Sequence, residues 1–365
     1  MPHITSLKLS MFRSHKLSEI DVDARPIAIH GPNGAGKTNI LEAISMLSPG
    51  RGLRRVPVGD LSRAPERLGW QVRAGIEADG PREIVTRLQG EGSRTVEIDG
   101  KTAPQTALAK LLRIVWLVPS MDRLWLDGAS ERRRFLDRMS MSFFPDHAEA
   151  VLGYERAMRE RNRLLKDQVR DPRWYEALEE HLVEFGSRIT ASRRNTLDRL
   201  GVAQDAATTA FPAARLSLIG PDGAVRQNED DLAPRLAEGR GRDMAAGRTL
   251  NGPHRDDLHA VYSAKDMEAR DCSTGEQKAL LVSVILSNAR ALSSEKVNRP
   301  VLLLDEIGAH LDAGRRSALY DEIIELGAQA WMTGTGAELF ESLEGRAQFL
   351  QLSEIAGETK LTSAR

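Results

Sequence analysis

The sequence predicts an α/β fold: a nucleotide-binding head built around a parallel sheet, assembled from both ends of the chain, with a helical arm inserted. Three observations carry this. A glycine-rich turn, GPNGAGKT at residues 31–38, joins the apolar run PIAIH to the helical stretch TNILEAISML. Four apolar residues ending in two carboxylates, VLLLDE at residues 301–306, have the pattern of a buried central strand. Between them, from Ser130 onward, the chain becomes long, charged, helical sequence. The expected partition is residues 1–121 for the first part of the head, 122–247 for the arm, and 248–365 for the second part of the head.

Taken in order, ITSLKLSMF alternates apolar and polar residues as a half-buried strand does, and PIAIH follows as a short buried one. After the first helix come WQVRAGIEA, REIVTRLQG and RTVEIDG, each strand-like and separated by Gly, Asp or Pro. TALAKLLRIVWLVPS reads as a helix running into a buried strand. In the arm, Val151, Tyr154, Met158 and Leu165 lie at helical spacing, Pro172 breaks the pattern, and Leu178, Leu182, Phe185 and Ile189 resume it. That is a helical hairpin, equally readable as two amphipathic core helices, because the stripe lasts only about two or three heptads. Residues 212–247 read as a loop or boundary region, with a hairpin at LSLIGPDGAV and a polar stretch at AEGRGRDMAAGR. Then the strand DDLHAVYS, the helix after CSTGEQ, the strand VLLLD, the helix AGRRSALYDEIIELG and the strands AWMT and AQFLQL restore a parallel α/β alternation.

Composition narrows the function classes. No apolar run approaches the roughly 20 residues of a membrane span. The N-terminus alternates in polarity where a signal peptide would carry a long apolar core, and the single cysteine, Cys272, leaves no internal disulfide or multi-cysteine zinc site. A cytoplasmic setting is expected. With a net charge of -1 the chain is no polycation, so a nucleic acid would have to meet a local basic surface. Arginine outnumbers lysine, which suits bidentate phosphate contacts, although a GC-rich coding sequence produces the same bias.

The chemistry concentrates in two places. In the phosphate loop, Gly31, Pro32, Asn33, Gly34, Ala35, Gly36, Lys37, Thr38 and Asn39 are the candidate nucleotide-binding residues. Backbone N–H groups there would cradle phosphate, Lys37 would reach the β/γ oxygens, and the Thr38 hydroxyl would ligate Mg²⁺. At the tip of VLLLDE, Asp305 would join Thr38 in the metal shell, and Glu306 would polarise a water for attack on the γ-phosphate. The catalytic candidates are therefore Glu306 and Lys37, with ATP and Mg²⁺ as the implied ligands.

The order of phosphate loop, Ser-x-Gly-x-Gln helix start, VLLLDE strand and GAHLD resembles the ABC-type ATPase heads of the SMC class. FRSH after the first strand, SERRRFLD at residues 130–137 and GPHRDDL at residues 252–258 resemble the RecF family within that class, over essentially the whole chain. The resemblance implies an ABC-type P-loop head with an inserted arm or lid, and an ATP-dependent homodimer that clamps double- and single-stranded DNA at gaps or junctions. It implies slow hydrolysis, RecO and RecR as partners in loading RecA, and support of the SOS response. Residue by residue, Ser273, Thr274, Gly275, Glu276 and Gln277 match the signature motif, of which Ser273, Gly275 and Gln277 would serve a partner subunit's ATP, and Asp312 matches the D-loop aspartate. On local grounds alone, Ser273 is also an N-cap with Glu276 completing a capping box. Two positions depart from the wider class: VPSMDR, with Asp122, replaces the usual glutamine region, and Thr333, Gly334 and Thr335 stand where a switch histidine is usual.

Arg51, Arg54, Arg55, Arg132, Arg133 and Arg255 are the candidate DNA contacts, beside Arg13, Arg134 and His254. A run such as ERRR is also the ordinary pattern of a solvated helix face with local ion pairs. Two other function classes share the phosphate loop: a transporter's nucleotide subunit, and a zinc-hook break-repair ATPase. The long helical insertion counts against the first, and the short arm without a CxxC counts against the second. A GTPase is excluded because no Asn-Lys-x-Asp occurs.

Overall fold

A computed structural model describes residues 2–90, 92–226, 232–294, 299–355 and 357–364. Strands β1 (His3–Phe12) and β2 (His15–Asp21) form a hairpin over the turn at Arg13 and Ser14, and β3 (Ile27–His30) leads through the phosphate loop into helix α1 (Lys37–Ser45). Next come β4 (Gly69–Ala78), β5 (Gly80–Gln89), β6 (Thr95–Ile98), β7 (Lys101–Thr102), the short helix α2 (Leu108–Leu111) and β8 (Ile114–Leu117). The helical stretch is α3 (Ala129–Phe143), α4 (His147–Lys166) and α5 (Arg173–Asp205), followed by β9 (Ala214–Ile219), α6 (Leu232–Ala246), β10 (Asp257–Tyr262) and β11 (Met267–Glu268). Helix α7 (Thr274–Ser293), β12 (Val301–Leu304), α8 (Ala313–Leu326), β13 (Gln329–Gly334), β14 (Gln348–Ile355) and β15 (Glu358–Ala364) complete the chain.

These elements divide into two units: Met1–Asp122 with Ala207–Phe211 and Leu281–Arg365, and Arg123–Ala206 with Pro212–Leu280. The expected return to the head at residue 248 is therefore corrected to Leu281. Pairing contributes to this: β10 runs antiparallel to β9, from Asp257 opposite Ile219 to Tyr262 opposite Ala214, which ties residues 257–262 to the second unit.

The first unit holds two six-stranded sheets. One is antiparallel, in the order β2-β1-β4-β5-β6-β7. The other runs β15-β14-β3-β13-β12-β8, parallel except for β15, an edge strand that sequence reading missed. Strands buried on both faces need uninterrupted apolar sequence, and Val301, Leu302, Leu303 and Leu304 provide it. In this parallel sheet β13 lies between β3 and β12, with His30 opposite Gly334 and Leu304 opposite Met332. The phosphate loop and the Asp305–Glu306 pair consequently leave the sheet at the same, C-terminal end, where open α/β sheets place their ligands. Packing fixes this frame: Phe12 meets Trp70 edge to face at 5.5 Å, in one buried cluster with Leu9, Ile29, Ile40, Ile44 and Leu303. The buried Gln329 amide joins β1 to the parallel sheet, accepting from Ile4 N–H at 2.9 Å and donating to Ile4 C=O at 2.8 Å.

In the second unit α4 and α5 pair as the expected hairpin. Ala150, Tyr154, Ala157, Leu182 and Ile189 are buried together with Leu232 and Leu236 of α6. Helix α6 corrects the loop expected there, although residues 227–231 lie outside the described residues. Its buried stripe is Leu232, Leu236, Gly239 and Asp243, which is apolar for only half its length. Asp243 is buried because Arg161 of α4 meets it at 2.6 Å; the same guanidinium donates to Glu179 at 3.0 Å and to the Thr249 hydroxyl at 2.9 Å. At LSLIGPDGAV the chain reverses as expected: Ile219 bridges Val225, Gly220 N–H donates to Ala224 C=O at 2.9 Å, and Arg226 N–H donates to Leu218 C=O at 2.8 Å.

Candidate functional site

Helix α1 begins at Lys37, and its N-cap, Gly36, has φ 91°, a left-handed conformation that glycine adopts without a Cβ clash. A Cβ at Gly36 would lie 2.4 Å from Thr359 Oγ1 and 2.7 Å from Ser14 Oγ, because a directed chain of hydrogen bonds runs behind the loop. Asn39 Nδ2 donates to Ser14 Oγ at 2.8 Å, Ser14 and Thr359 hydroxyls meet at 2.7 Å, and Thr359 Oγ1 donates to Ala35 C=O at 3.1 Å. Beside it, buried His15 places Nε2 3.3 Å from Gly36 C=O and Nδ1 2.8 Å from Ser18 Oγ. Burial lowers the His15 pKa to about 4, so the ring is neutral at pH 7, donating from Nε2 and accepting at Nδ1. FRSH thus has a visible task, bracing the phosphate loop from behind. Thr359 carries no sequence signal for it.

The front of the loop meets the tip of β12. Thr38 Oγ1 donates to both Asp305 oxygens, at 2.9 and 3.1 Å, while Lys37 Nζ donates to Gly31 C=O at 2.7 Å and Pro32 C=O at 2.9 Å. Burial lowers the Lys37 pKa, and the nearby Glu306 and Asp305 charges oppose that shift. Glu306 sits at φ 51°, ψ 23°, its N–H bonded to Thr333 Oγ1 at 2.9 Å. The expected pair of carboxylates, lysine and threonine therefore stand together. Their hydroxyl and carboxylate oxygens are hard ligands, and no group of three or more Asp, Glu, His or Cys side chains placed to hold a metal ion occurs among the described residues. That donor set fits Mg²⁺, which binds through few protein oxygens and completes its shell with water and phosphate.

At the start of α7 the capping box appears in part. Glu276 Oε2 accepts from Ser273 N–H at 2.9 Å and from Ser273 Oγ at 2.7 Å, while Lys265 pairs with the same carboxylate. Lys265 first, then Ser273, hold the Glu276 pKa down to about 2. Gly275 is exposed, and a Cβ there would meet nothing within 4 Å. Gln277 departs from the expectation of a side chain turned to a partner: it is buried, and Nε2 donates to Cys272 C=O at 2.9 Å and Arg270 C=O at 3.1 Å of its own chain. Asp312 caps α8, accepting from Arg315 N–H at 2.9 Å, with its side chain exposed. Asp122 falls in a short 3-10 segment, Pro119–Arg123.

Several of the candidate arginines have partners within their own unit. Arg132 forks onto Asp257 at 2.8 and 2.7 Å, and half-buried Arg133 donates to Asp256 C=O at 2.7 Å. Arg13 likewise forks onto buried Glu42 at 2.8 Å, and Arg54 lies 3.5 Å from the same carboxylate. Arg134 pairs with Glu131, and His254 is held between Tyr154 OH at 2.7 Å and Thr249 C=O at 3.1 Å. Arg51, Arg55 and Arg255 have exposed side chains.

Comparison with known proteins agrees with this geometry. The family model described as the RecF/RecN/SMC N-terminal domain matches residues 3–353. A relative from Mesorhizobium japonicum, named DNA replication and repair protein RecF, is 48% identical over 361 residues, covering 95% of each chain. The chain belongs to the RecF family. A solved structure of the recombination mediator protein RecF with ATP superposes with a TM-score of 0.85 at 23% identity, over 99% of this chain and 98% of that one. The Smc head domain of Pyrococcus furiosus follows with a TM-score of 0.58 at 19% identity, over 100% of this chain and 96% of that one. The fold is thus the ABC-type head shared by RecF and SMC proteins, and the transporter and zinc-hook alternatives fall away.

Proposed function

We propose that this RecF-family chain is an ATP-dependent DNA-binding protein of replication-gap repair, in which ATP joins two copies into a clamp and slow hydrolysis releases it. The observation that carries the reading is the convergence of Lys37, Thr38, Asp305 and Glu306 at one end of the parallel sheet. The uncapped start of α1 and the glycine turns offer backbone N–H groups to an anion, and Lys37 would exchange its two carbonyls for β/γ-phosphate oxygens. Thr38 and Asp305 would hold Mg²⁺, which when bound supplies charge neutralisation at the phosphates. The Thr38 proton already lies on Asp305, leaving the hydroxyl lone pairs for a cation. Glu306 would orient a water and draw off its proton as oxygen bonds to the γ-phosphorus and the bond to ADP breaks.

The name of the 48%-identical relative supports DNA replication and repair as the setting, and the pathway named for the ATP-bound homologue supports RecO and RecR as partners in loading RecA and, by extension, the SOS response. In the dimer, Ser273 and Gly275 would face the ATP of the second copy, with Asp312 beside them. Arg51, Arg54, Arg55, Arg132, Arg133 and Arg255 are the proposed DNA contacts. No helix among the described residues is long and apolar enough to cross a membrane. Sedimentation with and without ATP and gapped duplex tests the proposal: an ATP-dependent dimer that binds the gapped duplex is expected, and a monomer unaffected by either ligand would overturn it.

A further inference from the structure

Thr333 stands in β13, the strand between those that carry the phosphate loop and the acidic pair, and its side chain is 1% exposed. Its hydroxyl makes two bonds, to Asp305 Oδ1 at 2.7 Å and with Glu306 N–H at 2.9 Å. The direction is forced: an N–H only donates, so the hydroxyl accepts from Glu306 and gives its proton to the Asp305 carboxylate. Asp305 receives a second hydroxyl proton from Thr38. Glu306, meanwhile, holds φ 51°, a region that residues other than glycine occupy only where their surroundings impose it.

We infer that Thr333 is a positioning residue of the ATPase site, an inference that rests on the ATPase reading above. One hydroxyl fixes the orientation of the Asp305 carboxylate and pins the backbone of Glu306, so that the metal-binding and water-orienting groups are set by the same atom. The position takes no part in contacting nucleotide through a ring, as a histidine would; it acts on its neighbours. Valine has the same shape without the hydroxyl, and would leave Glu306 N–H without this acceptor and Asp305 with one hydroxyl donor fewer. Serine keeps both bonds.

Thr333→Val and Thr333→Ser separate this from a packing role. In the nucleotide-free protein, amide exchange at Glu306 is expected to stay slow in wild type and Thr333→Ser, and to accelerate about tenfold or more in Thr333→Val. With ATP and Mg²⁺, kcat of Thr333→Val is expected to fall about tenfold or more with KM within about threefold, and Thr333→Ser to restore it. ADP affinity without divalent cation should stay within about threefold throughout, since the loop itself is untouched. Unaltered exchange at Glu306, or hydrolysis by Thr333→Val within about twofold of wild type, overturns the inference. If wild type itself binds no ATP, the ATPase reading is what fails, and the exchange measurement still decides whether Thr333 pins Glu306. Should Thr333→Val not fold, Thr333→Ala is judged by the same outcomes.

Discussion

Two glycines of the phosphate loop share a left-handed backbone but not their surroundings, and exchanging each for alanine separates conformational strain from crowding. Gly34 has φ 87°, and a Cβ there would come no nearer than 3.5 Å, to Glu354 Oε2. Its substitution should cost only the left-handed penalty of about 1–2 kcal/mol. Gly36 has φ 91°, but its Cβ would press to 2.4 Å on Thr359 Oγ1, 2.7 Å on Ser14 Oγ and 3.2 Å on His15 Nε2. Relieving that contact breaks the Ser14–Thr359 and His15–Gly36 hydrogen bonds, each worth about 1 kcal/mol, for a total near 3–4 kcal/mol. At about 2–4 °C per kcal/mol for a unit of this size, Gly34→Ala should lower the melting temperature of the nucleotide-free first unit by a few degrees and Gly36→Ala by about 10 °C. Differential scanning calorimetry, with the two transitions resolved, measures both. Equal shifts for the two variants would refute the claim that the loop is braced from behind.

Four further outcomes are expected. Because the folded pKa of His15, about 4, lies below the unfolded value, the unfolded chain gains a proton first as pH falls. Stability is therefore whole above about pH 6.5 and is lost down to about pH 4, by about 2 kcal/mol between pH 7 and 5, and urea titrations should show His15→Gln with that much less acid sensitivity. Glu306→Gln should bind ATP and accumulate as a nucleotide-bound dimer in sedimentation; a persistent monomer would count against Glu306 as the group that activates water. Lys37→Met should bind no nucleotide and Ser273→Arg should bind ATP without dimerising, yet their mixture should recover some hydrolysis, because one composite site keeps both halves; a silent mixture argues against action in trans. Arg161→Ala should destabilise the second unit by about 3–5 kcal/mol in its urea transition, since it strands buried Asp243 and weakens the Glu179 cluster.

The parts of the site that were legible in sequence are those written locally. GPNGAGKT and VLLLDE state their strand, turn and charge within eight residues, and the parallel sheet brings them together as expected. Helix α6 was not legible because half its inward stripe is Gly239 and Asp243, and an aspartate belongs there only once Arg161, 82 residues earlier, is placed against it. The partners of Arg132 and Arg133 were not legible for the same reason: Asp257 and the Asp256 carbonyl are more than 120 residues away. Gln277 sits in a motif read as outward-facing, while its amide is spent on two carbonyls of the preceding turn. Thr333 was visible only as a departure from a family pattern, and its two bonds became apparent with β13 in place.

Strand β3 has β13 and β14 as its neighbours, and Thr359 reaches back to Ala35 across 324 positions. A polypeptide emerging from the ribosome therefore carries its phosphate-binding sequence for almost the whole of its synthesis without the strands that flank it. Products truncated before residue 329 lack both flanking strands. The frame of the phosphate loop is thus completed only by the last strands of the described chain.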